Sequence, residues 1–321
     1  MVGGKTRILE MTLDVIVPTF NRATFILRTL ESFKRATIVP GLKTEIFVVD
    51  NRSTDNTADV VRSFVGPFPV HYLYEAQAGK SHALNTGLRA SHADFVGFID
   101  DDEEIDADWF VEAHRQFTQG DVDFLGGPYY PVWQSAPPAW LPRSCYGLVG
   151  SIREPSVECE YGPNFRGMLM GGNAVIRRHT LDRVGPFCTD PQIMRVGNRL
   201  ASGEDREMYE RLLKAGARGK FSPRLIVHHY IPDERLTIRY VRRRAFAQGV
   251  SRHFLERTGK MAGTGPTVFG VPRWYFSKGA LGVPRILGQI FRGRSAASVE
   301  AELTWVELAG RISAALRSSI D

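Results

Sequence analysis

Three consecutive carboxylates, Asp100, Asp101 and Asp102, follow the apolar run Phe95, Val96, Gly97, Phe98, Ile99. Carboxylates at the end of a buried strand destabilise the fold unless a cation neutralises them. One or two such groups, completed by phosphate oxygens, are the usual hold on Mg²⁺ or Mn²⁺. On an extended chain Asp100 and Asp102 face one side and Asp101 the other. A solvated acidic turn is the competing reading, since Glu103, Glu104, Asp106 and Asp108 continue the run. In SGEDREM, Ser202 is placed to cap a helix whose first turn carries Glu204 and Asp205, where the helix dipole favours negative charge. The same place suits a general base that takes a proton from a hydroxyl nucleophile. RLIVHH ends in His228 and His229, and strand alternation lets only one of them look into a site, where it would suit a metal or a phosphate. Lys80, in QAGKSHALN, opens a helix whose entrance attracts phosphate. Gly171-Gly172-Asn173 allows close approach of a ligand and offers an amide to sugar hydroxyls, or is an ordinary turn.

These residues need elements that bring them together, and the first hundred residues supply an alternation of strand and helix signals. DVIVP, EIFVVD, VHYLYE and FVGFID read as strands. Between them, residues 23–36 and 80–90 and the segment after NRSTDNT carry apolar side chains at helical spacing. Crossovers of this length give parallel pairing, with ligands beyond the carboxyl ends of the strands. The chemistry is therefore expected at residues 18–22, 50–53, 75–80 and 100–102. Residues 128–167, rich in Pro, Gly and Trp, read as a functional loop or lid. GGNAVIRR reads as a strand, 203–215 as a helix, RLIVHH as a last strand and 236–255 as a basic helix, with shorter amphipathic pieces after it.

Composition limits the class. The 321 residues are 43% apolar and 24% charged, which fits a folded globular chain of one large α/β unit with an appendage, or of two domains. No stretch approaches the roughly 18 apolar residues of a membrane span, and the start has no continuous apolar segment of the signal-peptide kind, so a cytoplasmic protein is expected. Cys145, Cys159 and Cys188 fit no zinc or redox spacing and read as free thiols. Residues 1–230 hold 26 Lys/Arg and 28 Asp/Glu, whereas residues 231–321 hold 15 and 7, so the basic character lies in the tail.

Taken in order, VPTFNR, VVDNRSTDNT, GKSHALNTGL, FIDDDEEIDADWF, GGNAVIRR, GEDREM and VHHYIPDERLT resemble glycosyltransferase family 2 over roughly residues 12–245. The resemblance implies an α/β chain of GT-A type: a Rossmann-like, mostly parallel sheet flanked by helices, with a basic helical C-terminal extension. It implies a catalytic domain over residues 1–235, with a nucleotide-binding half at about 12–127 and an acceptor-binding half at about 128–235, followed by the extension at 236–321. It further implies inverting, metal-dependent transfer from a nucleotide sugar to a hydroxyl acceptor, in polysaccharide, glycolipid or glycoconjugate synthesis. On this resemblance Pro18, Thr19, Asn21, Arg22, Asp50 and Asn51 line the nucleotide pocket, and Lys80, Asp100, Asp101, Gly172, Asn173 and Glu204 complete the donor-binding set. Asp102, Asp100 and His229 hold Mg²⁺ or Mn²⁺, and Asp205 is the base. Where many relatives have Asp-Asp at the end of strand two, this chain has Asp50-Asn51, which leaves UDP, dTDP and GDP open.

In the tail, the basic helix 236–255 reads as a grip on an anionic lipid surface, a neutraliser of diphosphate or a solvated face. Residues 268–292 read as an interfacial membrane segment or a helix packed on the catalytic domain or on a second copy in a homodimer. The lipid readings agree with a lipid-linked acceptor at the inner face of the cell membrane. Two other functions compete with glycosyl transfer. A sugar-nucleotide nucleotidyltransferase is expected to carry a glycine-rich phosphate loop after strand one, and PTFNRATF has no glycine. A basic nucleic-acid-binding protein is suggested by the tail, but no nucleic-acid-binding motif accompanies it, so no nucleic-acid partner is expected.

Overall fold

The computed structural model describes residues 10–318, apart from 153–154, 166, 198–199, 201–202, 262, 264 and 269–270. Its centre is a sheet whose strands follow the sequence pattern. β1 (Met11–Thr19) is followed by α1 (Ala23–Lys34), the short β2 (Leu42–Lys43), β3 (Ile46–Asp50), α2 (Thr57–Ser63), β4 (Val70–Tyr74), α3 (Lys80–Ala90) and β5 (Phe95–Ile99). All residues of β3 and β5 are buried, as continuous apolar runs in a sheet covered on both faces should be, whereas β4, at the edge, has no buried residue. β1 pairs in parallel with β3 and β5, in a register that sets Thr19 opposite Asp50 and Ile16 opposite Phe98. The carboxyl ends of three strands thus reach one edge.

Beyond β5 the chain departs from simple alternation. β6 (Glu103–Ile105), α4 (Trp109–Gln119), β7 (Phe124–Gly126), β8 (Tyr129–Trp133), β9 (Cys159–Glu160), β10 (Asn173–Arg177), α5 (Arg178–Val184), α6 (Glu204–Lys214), β11 (Gly219–Phe221) and β12 (Val227–Ile231) follow. The large sheet runs β4-β3-β1-β5-β10-β7-β11-β9, with β10 antiparallel to both neighbours. β12 is the centre of a second sheet, β6-β12-β8. The expected last strand therefore begins three residues and ends two residues later than RLIVHH suggested, and carries its histidines inside rather than at its end. Residues 128–167 are not loop throughout, since they hold β8, β9 and a 3₁₀ turn at Arg143–Leu148.

The large sheet separates two apolar cores. One packs Phe33, Trp109 and Phe110 against β1 and β5; the other packs Phe98, Phe124, Phe187 and Leu212. After α7 (Ile238–Arg257) and the two-residue strands β13 (Thr267–Val268) and β14 (Val271–Pro272), the tail forms two long helices, α8 (Arg273–Arg292) and α9 (Ala296–Ser318), rather than the shorter pieces expected. Pro284 sits inside α8 without ending it. Val241 and Ala245 of α7 and Val299 and Leu303 of α9 share a core with Leu141, Val149 and Ile231, so this part of the tail packs on the body of the protein. Part of the basic charge is paired within the tail: Arg242 with Glu302, Arg252 with Glu307, and the buried Arg311 with Glu256. No helix among the described residues is long and apolar enough to cross a membrane. The three cysteines are free.

Candidate active site

At the carboxyl edge of the large sheet, Pro18, Thr19, Arg22, Asn51, Lys80, Asp100, Asp101 and Asp102 line one pocket. The strand ends at Ile99, so the two-residue alternation expected of the aspartates does not continue through them. Asp101 turns towards β1, accepting from Thr19 Oγ1 at 2.9 Å and from Arg22 Nη1 at 3.1 Å, and Arg22 Nη1 also reaches Asp102 Oδ2 at 2.7 Å. Burial, with the neighbouring Asp102, pushes the Asp101 carboxyl up to about 6 against the pull of Arg22. Burial alone would also raise Asp102, but the adjoining His229, Arg235 and Arg22 hold it well below the ordinary value. Lys80, first residue of α3, places Nζ 2.6 Å from Asp100 Oδ1. Burial would lower the ammonium's pKa, yet Asp100, Asp205 and Glu204 more than reverse this, so it stays charged.

A second cavity meets the first at Lys80, Asp100 and Asp102, and continues past Glu103, Gly172, Glu204, Asp205 and His229. Of the two histidines, His229 is the buried one; His228 points outward to within 3.5 Å of Asp106. His229 Nδ1–H donates to the Gly150 carbonyl at 2.6 Å and Nε2 accepts from Arg235 Nη1 at 2.9 Å, which fixes the ring with Nε2 towards the carboxylates. Ligand atoms of Asp102, Glu103 and His229 lie within 4.8 Å of one another, so the third member of this group is Glu103; Asp100 is held by Lys80, and a bound cation would take the place of Arg235 at Asp102 and at His229 Nε2. Two carboxylates and an oriented imidazole form a donor set suited to Mn²⁺ or Mg²⁺. Glu103 is held well above its ordinary pKa by burial, Asp100 and Asp102, the state of a carboxyl that a bound cation would ionise.

Asp205 stands in the first turn of α6, and its Oδ1 is buried with no hydrogen-bond partner among the described residues. A buried oxygen without a donor is costly in a purely structural role, which marks Asp205 as a group kept for another purpose. Gly203 occupies the N-cap position, its N–H donating to Glu204 Oε2 at 3.0 Å; Ser202 lies outside the described residues. Burial and Asp205 push the Glu204 carboxyl up to about 7, against Lys80. The paired glycines make room for side chains of the protein itself. A Cβ on Gly171 would lie 2.0 Å from Asp205 Oδ1, and one on Gly172 would lie 2.5 Å from Glu103 Oε2.

Three residues expected in the site are turned to other work. Asn21, at φ 52°, accepts from the Thr54 N–H at 2.6 Å and shapes the loop after β1. Asp50 accepts from the Ser53 N–H and the Tyr72 hydroxyl, both at 2.8 Å. Asn173 is fully buried, so a sugar does not reach it: its Oδ1 accepts from Trp109 Nε1 at 2.9 Å, and its Nδ2 donates to the carbonyls of Leu225 at 2.7 Å and Pro128 at 3.2 Å. Asn51 lines the pocket, but its amide orders the following loop, donating to Gln77 O at 2.6 Å and accepting from Gly79 N at 2.7 Å. Conversely, Glu103, Arg195 and Arg244 line the second cavity without having been placed in the site. Glu103 was submerged in an acidic run and Arg244 in a basic one, and Arg195 lies in a segment with no regular signal.

The sequence model described as Glycosyl transferase family 2 matches residues 14–185. The succinoglycan biosynthesis protein ExoM of Rhizobium meliloti (strain 1021) is 26% identical over 254 residues, 74% of this chain and 72% of that one. The mannosyltransferase PcManGT from Pyrobaculum calidifontis, solved with GDP-Man and Mn²⁺, superposes with a TM-score of 0.56 at 21% identity, over 96% of this chain and 74% of that chain. TarS 1–349 of S. aureus in complex with UDP-GlcNAc gives 0.50 at 18% identity, over 94% of this chain and 92% of that chain.

Proposed function

Because the chain belongs to glycosyl transferase family 2, we propose that it moves a sugar from a nucleoside-diphosphate donor to a hydroxyl acceptor, with inversion at the anomeric carbon and Asp205 as the general base. One observation carries this reading. Asp205, whose buried Oδ1 has no hydrogen-bond partner among the described residues, lines a cavity that shares Lys80, Asp100 and Asp102 with the neighbouring pocket. In this reading the nucleotide occupies the pocket built by residues 12–127, the acceptor enters against residues 128–235, and residues 236–321 form an extension. UDP-, dTDP- and GDP-sugars all remain candidates, since the Asn51 amide is committed to its own loop.

Breaking the sugar–phosphate bond leaves negative charge on the diphosphate and positive charge on the sugar ring. Lys80 and Arg22 stand where that negative charge develops. Asp102, Glu103 and His229 would hold Mg²⁺ or Mn²⁺, whose charge would stabilise the departing diphosphate. Asp205 takes the proton of the acceptor hydroxyl as its oxygen attacks from the opposite face; one bond forms as the other breaks, so no covalent nucleophile on the protein is needed. The test is a thermal-shift panel of UDP, dTDP and GDP with and without Mn²⁺, followed by the anomeric configuration of the product by NMR. A product with the donor's configuration, or no nucleotide response with or without Mn²⁺, would refute the proposal.

For the acceptor's setting we favour a cytoplasmic protein bound peripherally to the inner membrane face, acting in polysaccharide, glycolipid or glycoconjugate synthesis on a lipid-linked acceptor. α8 has no acidic residue, and it exposes Leu281 (80%), Leu287 (55%) and Trp274 (40%) beside Lys278 and Arg285. Apolar side chains beside cations that make no ion pair among the described residues suit an anionic lipid surface better than a second copy of this basic face. Co-sedimentation with phosphatidylglycerol vesicles but not phosphatidylcholine vesicles is expected; equal recovery in the supernatant from both would rule it out.

A further inference from the structure

We infer that the cavity beside Asp205 contains a subsite for an anionic group of the acceptor, formed by Arg195 and Arg244. The inference rests on the proposed role of Asp205 and names the class of acceptor that this role would serve.

The other cations of the cavity are paired. Lys80 is held by Asp100, and Arg235 Nη2 donates to Asp102 Oδ2 at 2.7 Å. Arg195 and Arg244 have no carboxylate within salt-bridge distance among the described residues, although both line the cavity. Arg244 Nη1 donates to the Leu200 carbonyl at 2.7 Å, one of the five N–H donors a guanidinium carries. Arg195 is fixed at the junction by its main chain, the Lys80 N–H donating to its carbonyl at 2.9 Å. Burial pulls the pKa of Arg244 down, and repulsion from Arg195 and Arg235 adds to this, against the pull of Tyr240 and Glu204. A guanidinium nevertheless keeps its charge. Partly buried like charges with spare donors are stabilised by an oxyanion, whose two or more oxygens match the guanidinium fork.

The position of Arg244 separates acceptor from donor. Arg195 lines both cavities, whereas Arg244 lines only the one that holds Asp205. A purely neutral acceptor would leave both guanidinium groups without a direct ion pair among the described residues, with only the more distant Glu204 to offset them. An acceptor bearing a phosphate, a diphosphate or a sugar carboxylate would answer them and hold its hydroxyl near Asp205.

The test uses the full chain and isothermal titration at low salt, with phenyl phosphate, methyl glucuronide and the neutral methyl glucoside, each with and without UDP, GDP or dTDP plus Mn²⁺. One or both anions should bind at least about tenfold more tightly than the glucoside, and Arg244→Gln should weaken that binding by a similar factor. Preference for the phosphate identifies a phosphorylated acceptor, and preference for the glucuronide a uronate. Nucleotide affinity in Arg244→Gln should stay within about twofold of the parent. Arg195→Gln, in a loop rather than a helix, should weaken anion binding in the same direction and stands in if Arg244→Gln melts early. Anion binding that is absent, or unchanged in both variants, overturns the inference. So does loss of nucleotide affinity in Arg244→Gln, which would give the cluster to the donor's diphosphate. Failure of every nucleotide to bind would count against the glycosyl-transfer reading instead, and the nucleotide-free titrations would still decide the subsite.

Discussion

Replacing Gly171 by Ala tests whether Asp205 works from a fixed position. The added Cβ would lie 2.0 Å from Asp205 Oδ1, 2.5 Å from Cγ and 2.9 Å from Oδ2. Carbon and oxygen do not settle closer than about 3 Å, so the carboxylate must retreat by roughly 1 Å. Gly171 is not among the residues with positive φ, and Oδ1 has no hydrogen bond to lose among the described residues, so retreat strains neither backbone nor network. Stability should change by about 1 kcal/mol or less, which for a chain of this size moves Tm by roughly 2–4 °C. Catalysis should suffer more, because a displacement of about 1 Å at a reacting group costs on the order of 10²-fold in rate. Asp205→Asn, which removes the base, should cost about 10²–10⁴-fold. The assay is release of nucleoside diphosphate from the donor sugar, with water or an added alcohol attacking, beside nucleotide affinity by titration. Gly171→Ala should lower kcat and leave nucleotide affinity within about twofold. Combined with Asp205→Asn it should add nothing, since both changes act through one carboxylate. A Gly171→Ala protein with parental kcat, or one whose loss multiplies with that of Asp205→Asn, would refute the reasoning.

Asn173→Ala should destabilise the fold by about 2–4 kcal/mol, since Trp109 Nε1 and two carbonyls lose their partner, while kcat of the folded fraction stays near the parent's. A large rise in donor KM with unchanged urea midpoint would instead return Asn173 to sugar binding. Asp102→Ala should abolish the Mn²⁺-dependent part of the nucleotide thermal shift; a shift identical to the parent's would remove Asp102 from the metal group. Glu112 is buried in α4, which alone would raise its pKa, but hydrogen bonds from Arg115, Ser222 and Gln116 lower it from 4.5 to about 2. Above the unfolded value the charged form contributes roughly 3 kcal/mol, and this is lost as pH falls from about 5 through 2. Urea denaturation should therefore show Glu112→Gln less stable than the parent at pH 7 and the gap closing towards pH 2; a gap independent of pH would contradict the assignment.

The amino-acid order alone determined the part of the molecule governed by local rules. Apolar runs of strand length alternating with helical spacing gave β1, β3, β4, β5 and the helix at Lys80–Ala90, and parallel crossovers then forced their ends to one edge. That is why Arg22, Lys80 and Asp100–Asp102 could be grouped in advance, and why the GT-A arrangement implied by the motifs stands. Alternation along a strand likewise settled that one histidine would face inward. Contacts between distant segments were decided only by tertiary packing. Asn173 became a clamp between Trp109 and two carbonyls because β10 inserts antiparallel beside β5, which periodicity does not reveal. Glu103 joined Asp102 and His229 because β6 pairs with β12, bringing residues more than a hundred positions apart into register. Arg195 and Arg244 met across a cavity for the same reason: a side chain's charge is written in the sequence, but whether a partner cancels it depends on which remote segment folds against it.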